Sequence, residues 1–453
     1  MKKYTRFSSK ASLAAVGINM RQRKIWERIE QEVHIRQKTI KHKPMDKLLD
    51  GLINILAGGR GVVEANTRVG PDKALQRAFG REGCADQSTI SETLNACSEE
   101  NVRQMRQALG EVYRQHGRGY RHRYESSYQV MDVDMTGLVA GEQAEGASKG
   151  FFPEQRNRRG RQLGRVLASR YDEIVFEKLY AGSVQLDVSL QELVLGAEEV
   201  LRLSAERRCR VILRVDGGGG KDADINWMLE RDYFILTKVK NWKRSAKLAQ
   251  SVQQWIPDPK VPGRQMGWVQ EPHSYSRPTR QLALRWLKEN SEWHYRVLVF
   301  NLTDPMLFDL ARHPLPVGDV SQELLSAIVD AYDLRGGGVE TSNKGSKQGL
   351  GLASRNKRRF PAQEMLVLLT QLAYNLTSWA RHELSKHFPA FQHFGMLRMI
   401  RDVFQISGKL QMNAQGQILQ IQLNRNHNLA PPFQKAFQPL LSTDNLYLVL
   451  RQI

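Results

Sequence analysis

The segment CRVILRVDGGGG, Cys209 to Gly220, limits the possible folds more than any other stretch. Arg210 to Val215 is a short apolar run of the kind that forms a strand buried on both faces, as in a sheet covered by helices. Asp216 stands at its C-terminal end, where open α/β sheets place their ligands. Gly217 to Gly220 lets the chain turn there without steric cost. The fold class predicted is α/β, with a helix from about Ile225 and a second strand at Tyr233 to Val239. GGGGKD imitates a phosphate-binding loop, but Asp222 stands where that loop needs Ser or Thr to hold magnesium. Asp222 and Asp224 are instead expected to cap the helix.

A second acidic strand lies upstream. In YQVMDVDMTG, from Tyr128, large apolar and β-branched residues alternate with acids, so Asp132 and Asp134 share one face. Two carboxylates so placed raise each other's pKa unless a cation lies between them, and magnesium would relieve that. An edge strand with its acids in solvent is the competing reading. The piece that follows, Phe151 to Arg170, carries Arg156, Arg158, Arg159, Arg161, Arg165 and Arg170, which are candidates for tracking phosphates or for a solvated face. Glu173 to Tyr180 is expected to be the hairpin partner of the acidic strand, and Gln191 to Arg208 an amphipathic helix.

The third acidic stretch is YDLRGGGVETSNKGSK. Tyr332, Arg335, Glu340 and Lys347 put a hydroxyl, a bidentate phosphate donor, a metal-ligand carboxylate and a point cation in one segment. Glu340 and Lys347 are seven apart, about two helical turns, and in a helix would share a face. Gly336, Gly337 and Gly338 each disfavour helix by about 1 kcal/mol relative to alanine, which puts Glu340 at the first turn of its helix. The competing reading is a solvated glycine loop.

Composition adds the partner. The chain has 453 residues, more than one core usually serves, so two to four domains are expected. A formal charge of +20 and a pI near 9.9 point to a polyanion, because neutralising phosphates releases counterions. An anionic membrane surface competes, yet no run approaches the roughly 18 apolar residues of a membrane helix. The N-terminus imitates a signal peptide weakly, but Ser, Gly and Asn break its apolar patch and a basic segment follows. Cys84, Cys97 and Cys209 are scattered and odd in number, and read as reduced thiols in a cytoplasmic protein.

In chain order, residues 1–125 read as a basic, helical DNA-binding region, with helices at Met45 to Leu56 and Pro71 to Phe79. Asp86 to Leu94 there resembles the start of a recognition helix, with a capped surface helix of a helical bundle as the competing reading. Residues 126–240 and 323–410 form two parts of one core, the second holding Glu340, with a strand-rich piece at 241–322 between them. Trp255, Trp268, Trp286 and Trp293 of that piece are core residues or stacking platforms for an unpaired base. Pro361 to Leu384 reads as a buried helix, and His382, Glu383 and His387 miss zinc-helix spacing by one residue. Residues 411–453 form a hairpin about Gly416 and a tail.

Asp134 before Met135-Thr136, the order Arg214-Val215-Asp216-glycines, and Tyr332, Arg335, Glu340 and Lys347 together resemble bacterial insertion-sequence transposases with a DDE active site, of the insertion-sequence-four-like superfamily. This chain has four residues between Arg335 and Glu340 where the family has three. The resemblance covers about Tyr128 to Ala380. It implies a ribonuclease-H-like mixed-sheet catalytic core with a β-rich insertion and an N-terminal helical domain. It implies that Asp134, Asp216 and Glu340, with Asp132 as substitute for Asp134, hold two Mg2+ ions, or Mn2+, for cleavage and strand transfer. Tyr332, Arg335 and Lys347 would then bind phosphates of DNA. The partners implied are transposon ends and target, both double-stranded DNA held by a homodimer at the bacterial nucleoid, with no membrane.

Overall fold

The computed structural model describes residues 3–39, 41–150, 152, 158–289, 291–316, 321–441 and 446–453. Arg156 of the basic run lies outside them. Strand β1 (Lys3–Ser8) belongs to a small sheet. The large sheet begins with β2 (Gln129–Val139), β3 (Ser148–Lys149), β4 (Arg159–Ala168), β5 (Glu173–Ala181), β6 (Val211–Val215) and β7 (Phe234–Lys238). It continues with β8 (Ile256–Pro257), β9 (Gln265–Trp268), β10 (Arg280–Leu287) and β11 (Trp293–Phe300), while β12 (Gly408–Asn413), β13 (Ile418–Asn424) and β14 (Tyr447–Arg451) complete the small one.

The large sheet is mixed. Its order is β3-β4-β2-β6-β7-β11-β10-β9-β8, with β5 on β4. β2, β6 and β7 are parallel neighbours, and β4, β5 and β11 join antiparallel. The strands of 241–322 therefore do not form a sheet of their own; β11 pairs directly with β7 and extends the central sheet. Period-two alternation assigns the faces. Met131, Val133, Leu213 and Val215 pack on one side with the helix Leu186–Leu201. Val130, Ile212 and Leu236 pack on the other with the helix Ser321–Arg335. Asp132, Arg214 and Asp134 share the parity of Val130 and Ile212, so they face that second helix.

The triple glycine does not break the helix. Ser321–Arg335 runs on through a π-helical turn, Gly336–Glu340, an α-helical turn, Thr341–Lys344, and a second π turn, Gly345–Gly349. Glu340 thus lies well inside a continuous helical segment, not in its first turn. A π turn carries an extra residue per turn, so four residues between Arg335 and Glu340 still leave both side chains on one side. Packing outweighs propensity here: a Cβ on Gly338 would lie 2.4 Å from Asp132 Oδ2, so only glycine lets this segment come so close to the sheet. Gly220 is required for a similar reason, since a Cβ there would lie 1.8 Å from the Lys238 carbonyl oxygen. None of Gly217 to Gly220 has positive φ, so close approach and not a left-handed turn explains that run.

Elsewhere the sequence reading needs four adjustments. The N-terminal region begins with β1, which pairs antiparallel with β12, more than 400 residues away. The helix expected at Gln191 to Arg208 starts earlier, at Leu186, and ends at Leu201. Asp222 and Asp224 sit inside the first turn of the helix Asp222–Glu230 and do not cap it. The tail forms a helix, Ala430–Leu441, and β14, which pairs parallel with β13. The helix Phe360–His387 is buried along most of its length. No helix among the described residues is long and apolar enough to cross a membrane.

Candidate active site

Register brings the first two acids together. β2 and β6 are parallel with Val133 opposite Val215, so Asp134 and Asp216 are the next pair in register, one strand spacing apart. The helical segment beyond Ser321 delivers the third. Arg335, almost buried, reaches all three carboxylates: Nη1 lies 3.4 Å from Asp134 Oδ1, and Nη2 lies 3.3 Å from Asp216 Oδ1 and 3.2 Å from Glu340 Oε1. Three acids remote in sequence converge on one guanidinium.

The acids differ in setting. The side chain of Asp134 is 13 % exposed, that of Asp216 46 % and that of Glu340 58 %. Burial pushes the Asp134 carboxyl up to about 6; Arg335 opposes this, while Asp216 and Glu340 add to it. Burial acts the same way on Asp216, but Arg335, the Gly217 N–H, Lys238 and the Tyr332 hydroxyl together hold it below the usual range. The pair is therefore asymmetric, and Asp134 takes up a proton first as pH falls.

Tyr332 and Lys347 sit beside the acids in different ways. Tyr332 is buried, its hydroxyl 3.3 Å from Asp216 Oδ1, and the Lys238 ammonium lies 4.5 Å from its ring centroid. Lys347 is half-buried and donates to Thr136 Oγ1 at 2.6 Å. Both line up the acid site in this arrangement: Tyr332 orients Asp216, and Lys347 ties the second π turn to β2. A cleft of about 640 Å³ opens next to them, with Asp134, Asp216, Gly218 and Lys347 in its walls.

Asp132 cannot stand in for Asp134. It is fully buried and paired bidentately with Arg214, at 2.6 and 2.9 Å, and Arg214 also donates to the Ala331 carbonyl at 2.8 Å. That ion pair docks the helix Ser321–Arg335 onto the sheet. Two residues of the arginine run have a similar structural task. Arg165 is buried against Glu177 across β4 and β5 and donates to Ser342 Oγ at 2.6 Å and Ser346 Oγ at 2.8 Å, clamping the segment that carries Glu340. Arg161 donates to the carbonyls of Glu145, Lys357 and Arg358. Neither is available to a phosphate.

Sequence reasoning missed Asn343, whose Nδ2 donates to Asp134 Oδ2 at 2.9 Å. Its position three residues after Glu340, on the same helical side, was the available signal. Among the tryptophans, Trp255 and Trp293 sandwich the Arg285 guanidinium at 4.2 and 4.3 Å from their centroids, Arg280 lies 5.7 Å over the Trp268 ring, and the Trp286 and His294 rings are 4.7 Å apart, so all four have protein partners.

Among the described residues, no group of three or more His, Cys, Asp or Glu side chains stands close enough together to hold a metal ion as placed. The donor chemistry nevertheless fits a hard divalent cation, since three converging carboxylates are oxygen ligands for Mg2+ or Mn2+. In this arrangement the guanidinium of Arg335 supplies the positive charge at their centre.

No protein-family model matches the chain, and none of the curated proteins matches its sequence. Among solved structures, the chain is similar to a piggyBac transposase synaptic complex with hairpin DNA, seen by cryo-EM. The match has 11 % sequence identity, covers 94 % of this chain and 81 % of that one, and has a TM-score of 0.45. A likeness at that level carries no functional weight.

Proposed function

We propose that this chain is a DNA transposase of the insertion-sequence-four-like superfamily, with a ribonuclease-H-like core. The observation that carries the reading is the convergence of Asp134, Asp216 and Glu340 on Arg335 beside an open cleft. The mixed sheet, with both aspartates in register on parallel β2 and β6, supports it. Asp134, Asp216 and Glu340 would hold two divalent ions, which when bound lower the pKa of an attacking water and neutralise charge on the leaving oxygen. Asn343 fixes the Asp134 carboxylate, and Tyr332 and the Gly217 N–H fix that of Asp216. Lys347 stands at the cleft wall, where a point cation orients a phosphate. The partners in this reading are transposon ends and target DNA, held by a homodimer in the bacterial cytoplasm.

The test is cleavage of DNA bearing the element's ends, with Mg2+ and with EDTA. Loss of an outer-shell partner of a metal ligand already costs 10- to 100-fold, so Asp216→Ala is expected to lose more than about 100-fold. Equal cutting by variant and wild type would remove Asp216 from the mechanism. The placement of Arg335 between the acids favours one second reading, a DNA-binding protein that no longer cuts. That protein would bind the ends and leave them intact with either metal.

A further inference from the structure

A second charged cavity, of about 260 Å³, lies away from the acids. Its walls come from three distant stretches of chain: Arg23, the segment His116 to Arg121, and the last turns of the helix Phe360–His387. Trp379 is buried at its base, with its Nε1 donating to Glu173 Oε1 at 3.0 Å. Arg118 also binds Glu173, the first residue of β5. Glu177, the partner of the Arg165 that clamps the segment carrying Glu340, is four residues further along that strand, roughly 13 Å at a strand's rise.

Four cations, Arg23, Arg118, Arg121 and Lys386, surround this cavity against two carboxylates, Glu173 and Glu383. Two imidazoles stand among them and add no charge. Arg23 donates to His116 Nδ1 at 3.0 Å and Arg118 to His382 Nδ1 at 2.8 Å. A guanidinium cannot accept, so each ring accepts through Nδ1 and carries its proton on Nε2. Burial, then the neighbouring cations, push both imidazoles down to about 4. His116 Nε2 is left buried with no hydrogen-bond partner. Burial, and then the neighbouring charge of Arg121, lower the pKa of Arg23, while Glu383 raises it. A positive surplus lined with N–H donors, at the mouth of a cavity that holds a small group, matches a tetrahedral oxyanion.

We propose that this cavity binds a phosphate group, a second phosphate site that the acidic site and its chemistry do not use. The phosphate could belong to the DNA backbone or be free in solution, and the experiment separates the two. Thermal melting of the full chain is measured with inorganic phosphate against chloride of equal ionic strength, and affinity for a short duplex is measured over a range of salt. The variant is Arg121→Glu with Lys386→Glu, both exposed side chains, with its ligand-free melting as the folding control.

For a backbone phosphate, the variant binds duplex more weakly and its slope of log affinity against log salt shrinks by about one. For free phosphate, inorganic phosphate raises the wild-type melting temperature, the variant loses that rise, and duplex binding is unchanged. Either result supports the site. The proposal fails if the variant keeps the wild-type salt slope and phosphate shifts both proteins equally or neither. Metal-dependent cleavage of end-bearing DNA is read independently of phosphate-dependent melting, so failure here is separable from failure of the acidic site.

Discussion

The acidic site and the basic cavity are opposite solutions to the same electrostatic problem. In the first, three carboxylates share one guanidinium, and the most buried acid is pushed toward neutrality. In the second, four cations share two carboxylates, and the bases that can discharge, His116 and His382, do so. Each holds an excess of one sign that the fold alone does not balance. The difference lies in who balances the rest: one region has a built-in counter-charge in Arg335, and the other has none of comparable centrality.

Removing that counter-charge should have the largest effect. Arg335→Gln leaves three carboxylates facing one another, one of them nearly buried, and breaking a buried pair by deleting one partner costs about 3–5 kcal/mol. Urea unfolding in EDTA at pH 8, above the raised pKa of Asp134, measures it. A loss below about 1 kcal/mol would mean that solvent, and not Arg335, balances the acids.

The two regions should also respond to pH with opposite signs. The Asp134 carboxyl is raised from 3.8 to about 6 in the fold, so its contribution to stability is full below pH 3.8 and lost as pH rises through 6. His116 is lowered from 6.5 to about 4, so its contribution is full above pH 6.5 and lost as pH falls through 4. Asp134→Asn should therefore gain up to about 2–3 kcal/mol on wild type at pH 7, by 1.36 kcal/mol per pKa unit, with the gain shrinking toward pH 4. Melting curves in EDTA and without phosphate, for Asp134→Asn and His116→Gln, should tilt in opposite directions over that range.

Much of the acidic site was legible in the sequence and almost none of the basic cavity. Asp216 at a strand end, Asp134 on an alternating strand and Glu340 beside a lysine two turns on are local patterns, and local patterns survive in a sequence. The choice between Asp132 and Asp134 was not legible, because Arg214 on the next strand decides it. Arg165 read as one of a charge run, since its partner Glu177 is identified only by the β4–β5 register, and a bulge between Val166 and Leu167 shifts that register. The basic cavity draws on Arg23, Arg118, Arg121 and Lys386, segments that only tertiary packing brings together. Gly336 to Gly338 misled for a related reason: their propensity opposes helix, while contact with Asp132 demands glycine at one position.

That last point gives a smaller effect with an internal control. Gly338→Ala puts a methyl 2.4 Å from Asp132 Oδ2, so the buried pair with Arg214 must shift; overpacking of this kind costs typically 1–3 kcal/mol. Gly337→Ala, one residue away, meets nothing within 4 Å and should gain about 0.5–1 kcal/mol from helix propensity alone. Denaturant midpoints of the two variants should fall on opposite sides of wild type. If both fall on the same side, the close approach of this segment to β2 does not set the acidic site.

The smallest effect is the sharpest contrast with Arg335. Arg121 is one of four cations around the basic cavity, it is exposed, and it donates to the Gln115 carbonyl at 2.9 Å. Burial is the largest cause of the lowered pKa of Arg23 and of His116, and the charge of Arg121 adds to it. Arg121→Gln therefore removes repulsion and little else, and the expected change in phosphate-free unfolding is within about 0.5 kcal/mol, on the stabilising side at low salt. Raising the salt should erase even that, because the interaction it relieves is screened. A loss of 1 kcal/mol or more would show that Arg121 is a structural partner like Arg335. The cavity would then be a balanced ion cluster and not one that awaits an anion.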